Sequence, residues 1–252
     1  MAIPSFRFLS ILLVLCFVLT ASCGGQKSEA PSTTESPKSI PTELVAAHTS
    51  GHISKKSSVH IVFTQNLAGD TPLHEALSSN PFSLSPKTEG KASWQNGNKL
   101  VFEPNQPLEP GQTYSVDVDL SQLSNVEKTP IKFSFNVREQ SFELKLDSLE
   151  QMSIDKSELQ RLSGTITTAD FAENKAVEAM LELRYPGKNH HVEWSHSTGG
   201  QRHNFRVLDI DRLEETSAID IILNGKPIGV AQSESQTVAV PGLNVFTVTS
   251  VR

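Results

Sequence analysis

Apolar residues recur at every second position in short runs along most of this chain, and almost nowhere at helical spacing. In "SVHIVFT", Val59, Ile61 and Phe63 alternate with His60, Val62 and Thr64, the period of a strand with one face buried. "KLVFEP" behaves in the same way, and in "IKFSFNVR" Ile131, Phe133, Phe135 and Val137 share one face. After Gly111, Tyr114, Val116, Val118 and Leu120 point inward while Ser115, Asp117 and Asp119 point outward. Asn96-Gly97 suits a tight hairpin turn with positive φ. "PLHEALSS" (72–79) is suited to one short helix. Many short strands with turn signals between them predict an antiparallel β-sandwich.

Alternation restarts at "FELKLD" and continues through "LSGTITT", "AVEAMLELRY", "HHVEWSH", "HNFRVLDI", "AIDIILNG", "KPIGVA" and "QTVAV". In "ENKAVEAMLEL" helix-favouring residue types compete with strand spacing at Val177, Ala179, Leu181 and Leu183. The strand reading is preferred, because the run lies between strand-like segments and ends in the turn "YPGK". Asn224-Gly225 is a second hairpin signal. The fold class expected is all-β, with two tandem sandwich modules over residues 42–139 and 140–252. Within the second, 244–252 ("NVFTVTSVR", with Phe246, Val248 and Val251) reads either as its last strand or as the first strand of a further module.

Charge and cysteine usage exclude whole classes of function. The 22 basic and 28 acidic residues are spread thinly and sum to −6, so no concentrated positive face exists for a phosphate backbone and no nucleic-acid partner is expected. Cys16 and Cys23 are the only cysteines. A disulfide framework and cysteine-based zinc or nucleophile chemistry are therefore excluded beyond Gly24.

The amino terminus has a separate logic. Arg7 is the only charge before Lys27, and an uncharged run follows it from Phe8 to Ala21. Such a run rises about 21 Å as a helix, short of a hydrocarbon core of roughly 30 Å. A positive flank, a short apolar region and small residues before a processing point match a secretory signal. Its end, Leu19-Thr20-Ala21-Ser22-Cys23-Gly24, resembles a bacterial lipobox. That resemblance implies a signal peptide over 1–22 and an acylated first mature residue at Cys23, held in the bilayer by palmitate-type chains. Residues 23–41, rich in Ser, Thr, Pro, Glu and Lys, read as a flexible tether.

Leu108, Gly111 and Tyr114 are spaced as in a tyrosine corner, in which a buried ring at a strand start reaches back to upstream backbone. "SGHISKKSSVHIVFTQNL" followed by "FSLSPKTEGKASWQNGNKLVFEPNQPLEPGQTYSVDV" resembles the bacterial Ig-like domain of envelope lipoproteins. That pattern is an apolar strand ending in Phe, then F-x-L-S-P, L-x-F-x-P and L-x-P-G-x-x-Y. Together with the lipobox and tether, "LSGTITTADFAENKAVEAMLEL…VEWSH…HNFRVLDIDR…LNGKPIGV…VPGLNVFTVTSVR" resembles the front end of bacterial alpha-2-macroglobulins. These are lipoproteins of serial β-sandwiches that trap proteases. The reactive Cys-x-Glu-Gln of that family is absent from this sequence.

The resemblance implies a non-enzymatic, membrane-anchored scaffold in the cell envelope, on an outer membrane and facing the periplasm. Its partners would be the lipid bilayer and, beyond it, proteases or envelope proteins. The alternative is a self-contained Ig-like lipoprotein that binds a glycan, a peptide or a protein.

Enzyme chemistry finds little support in the residues. G-x-S-x-G and D-x-D-x-D-G are absent. Asp117 and Asp119 share a strand face, as solubilising carboxylates usually do. Strand alternation puts His191 and Glu193 on one face and His190, Trp194 and His196 on the other, with His203 on the next strand; the spacing of these histidines and Glu193 matches no metal-ligand motif. No catalytic residue, metal or cofactor is expected. Trp94 and Trp194 suit either ligand platforms or core positions, the latter being commoner in a sandwich.

Overall fold

The computed structural model describes residues 43–122, 131–187 and 190–245. The signal region, Cys23, the tether and Phe246–Arg252 lie outside the described residues. The first sandwich contains β1 (Val45–His48), β2 (His52–Ile53), β3 (Val59–Phe63), β4 (Phe82–Ser85), β5 (Gly90–Asn96), β6 (Lys99–Pro104), β7 (Thr113–Val118) and β8 (Ile131–Val137). They form two sheets in the orders β1-β3-β6-β5 and β2-β8-β7-β4. Neighbours pair antiparallel except β2 and β8, which run parallel. The inward sets are those the alternation marks out. Val59, Ile61, Phe63, Leu100 and Phe102 of one sheet meet Val116, Val118, Ile131 and Phe135 of the other.

The second sandwich contains β9 (Phe142–Ser153), β10 (Lys156–Thr168), α1 (Asn174–Glu178), β11 (Leu181–Arg184), β12 (His191–His196), β13 (Arg202–Asp211), β14 (Ser217–Asn224) and β15 (Ser233–Val240). One sheet has the order β12-β13-β10-β9 and the other β11-β14-β15. Its core gathers Leu162, Ile166, Phe205, Val207, Ile219, Ile221 and Leu223.

Four local expectations are corrected. Residues 72–79 form no helix. His74 and Leu77 donate their N–H groups to Trp94 and Ala92, and Ala76 bridges Ser93. So short a segment is a poor helix by itself, and the open edge of β5 satisfies its backbone instead. Residues 174–178 are helical, with Val177 fully buried and Met180 almost so, and strand geometry begins only at Leu181. There the helix-favouring side chains prevail over a strand-like spacing.

The Asn96-Gly97 hairpin forms, but neither residue has positive φ. Instead Asn96 Oδ1 accepts the N–H groups of Asn98 (3.0 Å) and Lys99 (2.8 Å). Around Asn224-Gly225 a loop over 225–232 replaces the tight turn and the "KPIGVA" strand. It carries a 3₁₀ turn at Lys226–Ile228 and a left-handed Gly229. Pro227 has no N–H to give a ladder.

The two sandwiches share one compact unit, and their junction is built from polar groups. Asp170 is only 2% exposed. One carboxylate oxygen accepts the Ser54 hydroxyl (2.5 Å) and the Phe171 N–H (2.7 Å). The other accepts the Lys55 N–H (2.7 Å). Gln140, between β8 and β9, accepts the Asp170 N–H (3.0 Å) and donates to the carbonyls of Asp170 and Phe171. Lys56 Nζ sits 3.2 Å from the Phe171 ring centroid and 3.3 Å from Glu173.

Gly200, in the β12–β13 turn, has φ +62, and an added Cβ would lie 2.4 Å from the Phe171 ring. That turn therefore packs closely on the loop that carries the junction.

Replacing Asp170 with alanine strands three half-buried donors. The Asp170→Ala chain is expected to lose about 3 kcal/mol in denaturant unfolding. In small-angle scattering it should also broaden in maximum dimension, whereas a Glu173→Gln change at the exposed rim should do neither.

Candidate functional site

The second sandwich is closed on one side and open on the other. On the closed side Gln236 of β15 donates its side-chain amide to the Leu144 carbonyl of β9 (3.3 Å), stitching two sheet edges together. On the open side β11 ends one sheet and β12 ends the other. Between them lies a cleft of about 360 Å³, lined by Glu178, Leu181, Leu183, His190, His191, Val192 and Trp194.

Local structure sets these side chains. Leu181 and Leu183 are the inward, half-buried positions of β11, as Val192, Trp194 and His196 are of β12. His191, Glu193 and Ser195 face outward. Trp194 packs on Phe205 (centroids 5.4 Å) and lies parallel to His196 (5.7 Å, 7°). The helix α1 brings Glu178 to one end of the cleft. At the other end His191 Nδ1 meets Asp209 Oδ2 at 3.0 Å. Asp209 has φ +56, where the β10–β13 register shifts.

Below the cleft runs a chain of three polar side chains. Glu178 Oε1 lies 3.2 Å from His196 Nε2, and His196 Nδ1 lies 2.8 Å from His203 Nδ1. A carboxylate only accepts, so His196 Nε2 carries hydrogen. With His196 neutral, its Nδ1 is the acceptor and His203 Nδ1 the donor, a tautomer assignment made from the network. His203 is fully buried, and among the described residues its Nε2 has no hydrogen-bond partner.

Burial, and then the His196 charge, lower the His203 pKa; the Gly200 backbone opposes the shift. Protonating both rings would set two N–H groups against each other across 2.8 Å. Burial raises the Glu178 pKa, but hydrogen bonds from Lys175 and His196 outweigh it and leave the carboxyl below its ordinary value. The chain ends on an enclosed nitrogen and holds no hydroxyl or thiol. Chemically it ties α1 to β12.

Of the histidine set weighed from the sequence, the structure joins His196 to His203 and leaves His190 and His191 on the rim of the cleft. Among the described residues no three His, Cys, Asp or Glu side chains are grouped to hold a metal ion. Asp117 pairs with Lys132 (2.9 Å), and Asp119 accepts the Ser121 N–H (2.9 Å). Trp94 is 1% exposed and packs in the first core against Phe63. Tyr114 is 3% exposed, and its hydroxyl accepts the Glu109 N–H at 3.2 Å. Leu108 is buried beside it, and Gly111 turns the chain with φ +75. Cys23 lies outside the described residues. The sequence does not mark Glu178, Leu181 and Leu183 as site residues, since nothing in their spacing reveals a cleft between strands of different sheets.

Residues 38–137 match the family model of the bacterial Ig-like domain. The first sandwich is of that type. No curated protein matches the chain. Among solved structures, an L,D-transpeptidase from Mycobacterium tuberculosis H37Rv is 13% identical, over 63% of this chain and 71% of its own, with a TM-score of 0.29. L,D-transpeptidase 3 from Mycobacterium tuberculosis, bound to a faropenem-derived adduct, is 10% identical over 77% and 74%, also at 0.29. The extracellular portion of mouse CD200RLa is 7% identical over 75% and 96%, at 0.28. At such TM-scores none of them informs the function of this chain.

A histidine held neutral by burial leaves the extra proton to the unfolded chain. His203, and His60 in the first sandwich, whose pKa is lowered by burial, Lys99 and His48, should thus lose their contribution as pH falls below 6.5. Unfolding free energy is expected to fall as pH drops through about 6.5 and below. A His203→Gln variant should show a shallower slope across that window.

Proposed function

We propose that this chain is the anchoring front part of an envelope lipoprotein of the alpha-2-macroglobulin type, acting without enzyme chemistry as a lipid-tethered scaffold. The observation that carries this reading is the junction. Asp170 and Gln140 fix the second sandwich to the first, so that the pair forms one stiff spacer. A tethered protein that must present later modules at a set distance needs such a joint, since a slack linker would let them wander. The bacterial Ig-like domain over residues 38–137 fits a spacer. In this reading palmitate-type chains at Cys23 hold the protein on the periplasmic face of the outer membrane. Residues 23–41 set its reach, and the sandwiches carry whatever follows towards attacking proteases.

Membrane fractionation of the native host tests the reading. Wild-type protein is expected in the membrane fraction with an acylated amino-terminal Cys23 by mass spectrometry, and Cys23→Ser should move it to the soluble periplasm. The full product of the reading frame should carry further sandwiches, take up methylamine as a glutamyl amide with release of the thioester's cysteine thiol, and retain protease after denaturing gel electrophoresis. An unacylated Cys23 would remove the anchor, and a full product that holds no protease would remove the trap.

A further inference from the structure

The cleft of the second sandwich has features that no spacer requires. The opposite side is stitched by Gln236 and Leu144, whereas β11 and β12 stand apart with half-buried Leu181, Leu183, Val192 and Trp194 between them. Leaving such side chains part-exposed forgoes the stabilisation that their full burial would bring.

The backbone of β12 is open as well. Ser197 donates its N–H to the Arg202 carbonyl (2.9 Å), and the pairing continues as Ser195↔Asn204, Glu193↔Arg206 and His191↔Leu208. Hydrogen-bonded and non-bonded pairs alternate in an antiparallel ladder. The odd-numbered residues therefore bond to β13, and the N–H and C=O groups of Val192 and Trp194 point to the side where, among the described residues, β12 has no neighbouring strand. Those groups and the apolar floor belong to the same residues. An added strand would meet both at once, which is how β-augmentation divides affinity from specificity.

The charge of the site selects the occupant. Among the described residues, Glu178 is the only one lining the cleft with a permanent charge at neutral pH, and no described lysine or arginine lines it. Its carboxyl is held on the ionised side by Lys175 and His196. Lys175 itself is 92% exposed, a weak and displaceable surface partner.

We propose that the β11–β12 cleft takes up an extended peptide segment of a partner protein, added as a strand to the edge of β12. The segment has alternating apolar residues that fill the floor and one basic residue that meets Glu178. This inference does not depend on the lipid anchor or on protease trapping.

Intrinsic fluorescence tests it directly, because Trp94 is buried in the other sandwich and Trp194 lines the cleft. The full mature chain is titrated with a capped seven-residue peptide alternating valine and threonine around one lysine. A blue shift of Trp194 emission with saturable binding is expected. A glutamate in place of the lysine should weaken binding about tenfold or more. Proline at the centre of the peptide, which removes a ladder donor, should abolish it.

Glu178→Gln, which keeps a hydrogen-bonding side chain beside His196, should erase the preference for lysine over glutamate. Val192→Pro should abolish binding of every peptide. If that variant fails to melt cooperatively, the proline peptide carries the backbone test alone. Equal affinity for the lysine and glutamate peptides would overturn the proposal, as would no saturable binding. Dimers in sedimentation velocity that release no peptide site would show that a second copy fills the cleft. An emission shift with oligosaccharides alone would assign it to sugar.

Discussion

A carboxylate buried between two sandwiches can be neutralised, paired or saturated with donors, and Asp170 takes the third course. Its two oxygens receive the Ser54 hydroxyl and the Lys55 N–H from the first sandwich and the Phe171 N–H from its own loop. An ionised group in such a place is tolerated only while those donors stay. The sandwiches therefore cannot part without either hydrating the site or stranding a charge. Each gains its stability from its own apolar core, but their mutual position rests on this small polar contact. Gln140 strengthens it from the segment between β8 and β9, because one side-chain amide bonds both the N–H and the C=O of Asp170.

The junction also bears on the open cleft. The 169–171 loop takes the Gln201 side chain at the Ala169 carbonyl (3.0 Å), and Ala172 donates its N–H to the Gly200 carbonyl (2.8 Å). Gly200 lies in the turn that joins β12 to β13, so the far end of β12 is held by the same loop that holds the first sandwich. α1 follows that loop directly, and Glu178 binds it to β12 through His196. One end of the cleft is thus fixed to the junction. The other, at His191, is held by the β13 ladder opposite Leu208 and by the His191–Asp209 contact.

Most of the fold was legible in the sequence because a strand with one buried face writes itself with period two. Val59, Ile61 and Phe63, or Tyr114, Val116 and Val118, have no other arrangement that buries them together. The errors fell where two local rules conflicted. Val177, Leu181 and Leu183 kept strand spacing across a segment whose first half has helical composition, and burial of Val177 and Met180 at the end of the sandwich decided it. Asn96-Gly97 gave the right hairpin for the wrong reason, since the Asn96 side chain closes the turn without left-handed backbone. The Asp170 junction left no periodic trace: two of its three donors, Ser54 and Lys55, lie more than a hundred residues upstream, and one carboxylate in "TTADF" looks like any other. The cleft was invisible for a related reason, being a space between strands of different sheets and not a property of either.

An unpaired edge is ordinarily a hazard, because its free N–H and C=O groups offer themselves to any extended chain, including a second copy. β12 lacks the usual protections of proline or an inward charge, yet it is short, and its outer face carries His191 and Glu193. Brevity limits the number of ladder bonds that a stray strand can make, so backbone pairing alone binds weakly. The apolar floor beside it favours partners with the right alternation, and Glu178 at the end disfavours an acidic residue placed there. Weak pairing combined with a shaped and charged floor converts a general hazard into discrimination, since a wrong sequence must bury either a polar side chain or a like charge to gain the same few hydrogen bonds.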